Sequence, residues 1–300
     1  PFPKQAGLSN TTVTMNAASM NNSGFEFAAT YRNRDHDFKY EVSANLSTVR
    51  NRVTSLGFGT DSYISGAYIT NVGEEIGKFY GWVYDGIART QADLDNHATQ
   101  EGAQIGDCLY KDVNNDGKVD SEDQVVLGSG MPKINFGLNA RFEYKRFDLS
   151  IATFGALNYH VSDDIYNSLN SCYGWGNKEV GMLEANRFSE DGSTYLSNVP
   201  RTYVTNSASL GWNDLFSSRK IQNAAYWKIA NVELGYNFPD KWFGKYVSDV
   251  RFYVSAQNLH TFTGYHGYNV DYAGGTFTPG YNFCSYPTAR TFMCGVHFTF

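Results

Sequence analysis

Alternation of apolar and polar residues dominates the chain, and it is clearest from Ile134 to Lys145. Ile134, Phe136, Leu138, Ala140, Phe142 and Tyr144 share one side of that run, and Asn135, Gly137, Asn139, Arg141, Glu143 and Lys145 share the other. A period of two puts successive side chains on opposite faces of an extended strand. At about 3.3 Å per residue, such a run crosses a hydrocarbon layer about 25 Å tall when tilted. Ordinary strands are nearer about five or six residues. The same alternation recurs at Phe25–Tyr31, Phe38–Leu46, Phe147–Ile151, Ala230–Phe238, Phe252–Ala256 and Phe292–Phe300, which predicts about seven strands.

The connections alternate too. Short turns follow the first, third and fifth strands, at Asn33–Asp37, Lys145–Arg146 and Pro239–Asp240, whereas residues 49–133, 159–224 and 260–288 form long connections. Short turns on one side and long loops on the other mark outer-membrane barrels. The predicted fold class is therefore all-β, an antiparallel transmembrane β-barrel segment whose three long connections are extracellular loops. A soluble β-sandwich with three insertions is the alternative, and loops beyond about 15 residues are uncommon in compact domains. With the long loops outside, the last strand runs inward to Phe300, a terminal aromatic that suits capture by barrel-assembly machinery. An odd set of strands starting on the outer side cannot close by itself, and an open edge in lipid leaves backbone groups unpaired. The expected unit is the C-terminal portion of a larger barrel.

Composition agrees. Aromatic residues make up 16% of the chain, with 22 Tyr and 21 Phe, against 18% charged residues and 29 Gly. No apolar run approaches the roughly 18 residues of a membrane-spanning helix, and the mean hydropathy is −0.42. That excludes a helical membrane protein and leaves a barrel, whose strands are apolar on one face only. A net charge of −6 speaks against a nucleic-acid partner, since phosphate binders carry a basic excess. Cys108, Cys172, Cys284 and Cys294 have no CxxC spacing, and the six histidines have no ligand spacing. Gly128-Ser129-Gly130 lacks the Lys-Ser/Thr of a phosphate loop. Asp163 and Asp164 are adjacent, so on an extended chain they point apart. No enzyme is indicated.

One segment has metal-ligand spacing. In Asp112-Val113-Asn114-Asn115-Asp116-Gly117-Lys118-Val119-Asp120-Ser121-Glu122-Asp123, Asp112, Asn114, Asp116, Asp120 and Asp123 stand at positions 1, 3, 5, 9 and 12 of a twelve-residue calcium loop. Lys118 takes the backbone-carbonyl position and Gly117 the sharp turn. The expected cofactor is a structural Ca²⁺; the alternative is a turn-rich loop in which Asp and Asn bond local backbone. Loop aromatics form a second candidate set: Tyr80, Trp82, Tyr84, Trp175, Trp212, Tyr265 and Tyr268. Such rings suit sugar stacking or a partner surface, or else pack the loops onto one another.

Several segments together resemble the C-terminal third of SusC/RagA-type TonB-dependent outer-membrane transporters of Bacteroidetes. Asn21-Asn22-Ser23-Gly24-Phe25-Glu26 is similar to the family's strand entry, and Ile76–Gly81 with Asp85-Gly86-Ile87 to its GxxYGY and DGI segments. Gly106-Asp107 and Tyr110-Lys111-Asp112 open the DxNxDG loop. Tyr144–Leu149 is similar to the YKGFDL hairpin, Trp227–Val232 with Leu234-Gly235-Tyr236 to RLKNLTLGY, and Gln257–Leu259 with Phe262–Tyr265 to QNLFTFTKY. Arg187–Tyr203 and Val270 depart from the pattern, in outer loops. The resemblance implies a barrel of about 22 strands in the cell outer membrane. It also implies TonB-driven import of oligosaccharides or peptides, delivered by a SusD-like lipoprotein. The plug and amino-terminal domains, through which the TonB complex acts, have no counterpart in this sequence. A soluble calcium-stabilised glycan-binding protein and a passive outer-membrane pore are the alternatives.

Overall fold

The computed structural model describes residues 18–57, 59–172, 177–202, 208–239, 242, 247, 249–271 and 274–299. Seven antiparallel strands form one open sheet in chain order: β1 (Ser19–Asn33), β2 (Phe38–Ser55), β3 (Ile134–Tyr144), β4 (Phe147–Leu157), β5 (Tyr226–Asn237), β6 (Asp249–Thr263) and β7 (Thr291–Thr299). Every predicted strand is present. β2 is 18 residues long and continues past residue 49, where the alternation had placed the start of the first loop. Phe300 and Asp240 lie outside the described residues.

Register turns separate alternations into one surface. Tyr31, Val42, Ala140, Ile151, Val232, Ala256 and Phe292 are successive cross-strand partners from β1 to β7. Two residues nearer the short turns, Tyr40, Phe142, Leu149, Leu234, Val254 and Cys294 form a second row. A slip of one residue in any strand would bring polar side chains into these rows. Towards the short turns the face becomes aromatic. Phe147 packs on Tyr236 at 4.8 Å between ring centroids, and Phe38 on Phe142 at 6.0 Å. Such a ring suits the membrane interface, where an aromatic body is apolar and its edge tolerates headgroups.

The opposite face collects the acids. Glu26, Glu41, Glu143, Asp148, Glu233 and Asp249 all take positions alternate to the apolar rows. Alternation alone would have put Ala230 on the apolar face, but the pairing of β5 shifts between Ile229 and Asn231. This bulge reverses the parity, as one extra residue must. Trp227 therefore joins the apolar side, where its ring stacks on Phe262 at 5.4 Å.

The long connections gather at one end of the sheet. Residues 56–133 hold a four-stranded antiparallel sheet of Ser62–Ser65, Tyr68–Asn71, Lys78–Gly81 and Val125–Ser129, and a separate pair, Tyr84–Ile87 with Cys108–Tyr110. This loop covers the polar side of β2, where Asn51 and Val53 are buried. The Asn51 side-chain oxygen accepts the Ile76 N–H at 3.0 Å. His160–Asp163 ties the other two connections together, pairing antiparallel with Gln222–Asn223 and parallel with Tyr281–Asn282.

Candidate functional site

The calcium-type segment folds as a compact turn. Gly117 has φ of 87° and Asn115 φ of 61°, so the spacing placed glycine where the chain needs a left-handed residue. Asp112 accepts the N–H of Gly117 at 2.8 Å, and Asn114 accepts that of Asp116 at 2.9 Å. Asp123 is fully buried and accepts the N–H groups of Val113 at 2.7 Å and Asp120 at 2.8 Å. The Lys118 ammonium lies 3.5 Å from Asp116 and also pairs with Asp120. Among the described residues no three acidic, histidine or cysteine side chains converge on one point. The carboxylates are arranged on backbone donors, as in the local-bonding alternative, and the donor set remains all oxygen.

Val119 anchors this turn in a hydrophobic cluster with Cys108 and Tyr110, against which Trp82, Tyr84, Trp212 and Leu215 pack. The Trp82 indole donates to the Asp120 carbonyl at 2.9 Å, and the Trp212 indole to that of Glu101 at 2.8 Å. Three of the proposed platforms thus serve as half-buried struts of the loop core. Tyr265 is a correction of a different kind. It is 6% exposed, and its hydroxyl donates to Asp163, so no ring face is offered for stacking. Tyr80 is half-buried on the small sheet, and Tyr268 stays 62% exposed. Trp175 lies outside the described residues.

Two buried polar centres, which local spacing gave no reason to find, hold the loops together. Asp163 accepts Tyr265 and, at 2.8 Å, the Asn282 amide, joining residues 119 positions apart. Asp107 accepts the Arg201 guanidinium through two bonds and the Asn213 amide at 2.7 Å. A buried carboxylate without such partners would lose far more in desolvation than it gains. Neither centre holds a nucleophile and base in contact; both are braces.

Cys108 and Cys172 are buried free thiols in the same loop assembly. Burial pushes Cys108 up to about 12 and Cys172 up to about 11, with the nearby Arg219 guanidinium pulling both back only in part. The thiolate is the nucleophile. Iodoacetamide at pH 8 is therefore expected to modify exposed Cys284 in the native protein and to reach Cys108 and Cys172 only after unfolding. Peptide mass mapping reads this, and native labelling of Cys108 contradicts it. Because the folded thiols hold their protons to higher pH than the ordinary value of 9.0, the stability they contribute is full below pH 9. It falls as pH rises from there towards 12.

The polar face of the sheet is a second candidate surface. Arg251 bridges Asp148 at 2.6 Å and Glu233 at 2.7 Å, and Arg32 pairs with Glu41 at 2.8 Å. Inside a barrel this face lines the lumen.

A long-stranded antiparallel sheet, apolar on one face, charged on the other and capped at one end by large loops, defines the class: an arc of an outer-membrane barrel. Known proteins of this class are similar to the chain. The chain is 29% identical over 319 residues to TonB-dependent receptor P3 of Formosa agariphila, covering 100% of this chain and 30% of that protein. With TonB-dependent receptor SusC of Bacteroides thetaiotaomicron it shares 25% over 298 residues, covering 97% of this chain and 27% of SusC. The structure of the RagAB peptide transporter matches with a TM-score of 0.78 at 20% identity, over 100% of this chain and 31% of the matched one. No family model matches. The chain is thus similar in sequence to TonB-dependent receptors, SusC among them, and shares the barrel fold of RagAB, and it spans about 30% of the length of the first of these relatives.

Proposed function

We propose that this chain is the part of a TonB-dependent outer-membrane importer that forms an arc of the barrel wall and the loops above it. The segregation of every strand carboxylate to the inward face is the observation that carries this reading. A lipid-facing wall excludes acids, and a solute path tolerates them. The cargo would be an oligosaccharide or a peptide, handed over by a SusD-like lipoprotein at the outer face, with TonB acting through the rest of the receptor. The relatives support import rather than catalysis, and the buried polar centres serve as braces. The test is uptake of labelled oligosaccharides and peptides by cells with and without the whole gene. Loss of uptake on deletion, and equal loss on collapsing the proton gradient, is the expected result. Uptake that survives loss of the gradient would instead indicate a passive pore.

The loop Asp112–Asp123 we assign to a Ca²⁺ staple. Asp112, Asn114, Asp116, Asp120, Asp123 and the Lys118 carbonyl supply the oxygen donors that a hard cation takes. The Lys118 ammonium already marks the loop as a place where positive charge is favourable. Bound Ca²⁺ would draw the loop carboxylates together and fix the turn beneath Trp82. Adding Ca²⁺ to the chelator-stripped full receptor should release heat in calorimetry and slow proteolysis between residues 112 and 123, and Asp112→Ala should abolish both. An unchanged cleavage rate with no heat would remove the assignment.

A further inference from the structure

The apolar face carries two charges in its seven strands, and both belong to neighbouring positions of β2. The other charged residues of the strands, Glu26, Arg32, Lys39, Glu41, Arg141, Glu143, Asp148, Lys228, Glu233, Asp249 and Arg251, fall on the inward side by register. Arg50 and Arg52 alternate with Asn51 and Val53, which the first loop buries on the inward side. The two arginines therefore project outward, about 7 Å apart along the strand.

Their level is informative. Phe25, paired with Thr48, and Phe27, paired with Leu46, end the apolar stripe on β1 and β2, and they are 83% and 64% exposed. One step further toward the loops comes the pair Ser23 with Arg50, and two steps further Asn21 with Arg52. The two positions thus stand just beyond the apolar stripe, at the height of outer-leaflet headgroups, and the Arg52 guanidinium lies close to Gly73 of the first loop. Both arginines are exposed, and among the described residues no carboxylate pairs with either; the nearby Glu74 is held by Lys78 at 3.2 Å and by Asn71. At Arg50 and Arg52 the strand neighbour is β1 alone, which presents the uncharged Ser23 and Asn21, because the pairing of β2 with β3 ends at Thr48.

We propose that Arg50 and Arg52, flanked by Asn21 and Ser23, form a clamp for the phosphate group of an outer-leaflet lipid. Guanidinium matches phosphate through paired N–H donors, and basic residues at a membrane surface attract anionic headgroups. A lipid is favoured over a free anion because the patch is continuous with the exposed Phe25 and Phe27, which an acyl chain would cover. The clamp rests on the outer-membrane reading and orients this side of the barrel in its leaflet.

The test uses the full receptor in nanodiscs of phosphatidylcholine, with or without phosphatidylglycerol as the anionic probe. Phosphatidylglycerol should raise the Tm of the unmodified receptor. The R50Q/R52Q double variant should lose at least half of that rise, and R50K/R52K should keep part of it because charge remains without the fork. A double variant that keeps the whole shift overturns the clamp. So does an equal shift from inorganic phosphate in phosphatidylcholine discs, which would mean a free-anion site. A receptor that stays folded and monodisperse with neither lipid nor detergent would overturn the membrane reading itself, an outcome separate from either lipid result.

Discussion

Arginine in place of Leu234 should prevent the full receptor from accumulating in the outer membrane. Leu234 lies in the second apolar row, between Leu149 on β4 and Val254 on β6, and is 45% exposed on the side that lipid would cover. Leu234 shares its row with Phe142, beside the aromatic ring, where the cost of a basic side chain lies between about 1 kcal/mol at the interface and about 2–4 kcal/mol at the bilayer midplane. A marginally stable fold has about 5–15 kcal/mol in total, so this is a large share. Asn231→Arg provides the contrast. Asn231 pairs with Ala152 and Gln257 on the opposite side, where a guanidinium meets water, and normal accumulation is expected. Cold gel mobility and outer-membrane protein level give the reading. Equal tolerance of both substitutions would contradict the assignment of faces.

Adding one methyl group at Gly130 or Gly280 should loosen all three outer loops. A Cβ at Gly130 would stand 1.9 Å from the Pro279 carbonyl oxygen, and one at Gly280 would stand 2.5 Å from that of His160 and 2.7 Å from the Gly130 Cα. These obstacles are backbone, so no side-chain rotation relieves them. Gly280 also has φ of 75°, where an L-residue costs roughly 1–2 kcal/mol more. The two glycines belong to the first and third connections and meet the second at His160, so a clash there separates all three. Faster proteolysis of the loops and iodoacetamide labelling of Cys108 at pH 8 should follow in Gly130→Ala and Gly280→Ala. Gly264→Ala should behave like the unmodified protein, because nothing lies within 4 Å of its added Cβ. Loops that remain protected in both tight-site variants would show that they do not depend on this junction.

The strands were legible because their signal is local. Alternation from Ile134 to Lys145 needs no partner to be read, and the structure returns it as β3, which ends one residue earlier, at Tyr144, because Lys145 enters the turn with φ of 55°. The bulge beside Ala230 was not legible, since an extra residue is defined only against the neighbouring strand. The loop aromatics show the same division. Trp82, Tyr84 and Tyr265 announce large apolar surface in a loop. Whether that surface faces a ligand or another loop depends on residues such as Asp163, Val119 and Asp120, far away or on the other side of a turn.

By itself the sequence determined the period and the place of each strand, the alternation of short and long connections, and the left-handed turn at Gly117. These follow from the covalent chain and from water's aversion to apolar surface, which act within a few residues. Tertiary structure alone decided the register that aligns Tyr31 with Phe292 across seven strands and the bulge that turns Trp227 outward. It also decided the closure of the loops over Asp107 and Asp163. Those depend on which distant groups meet, and a buried carboxylate or an unpaired arginine acquires its meaning only from what stands beside it.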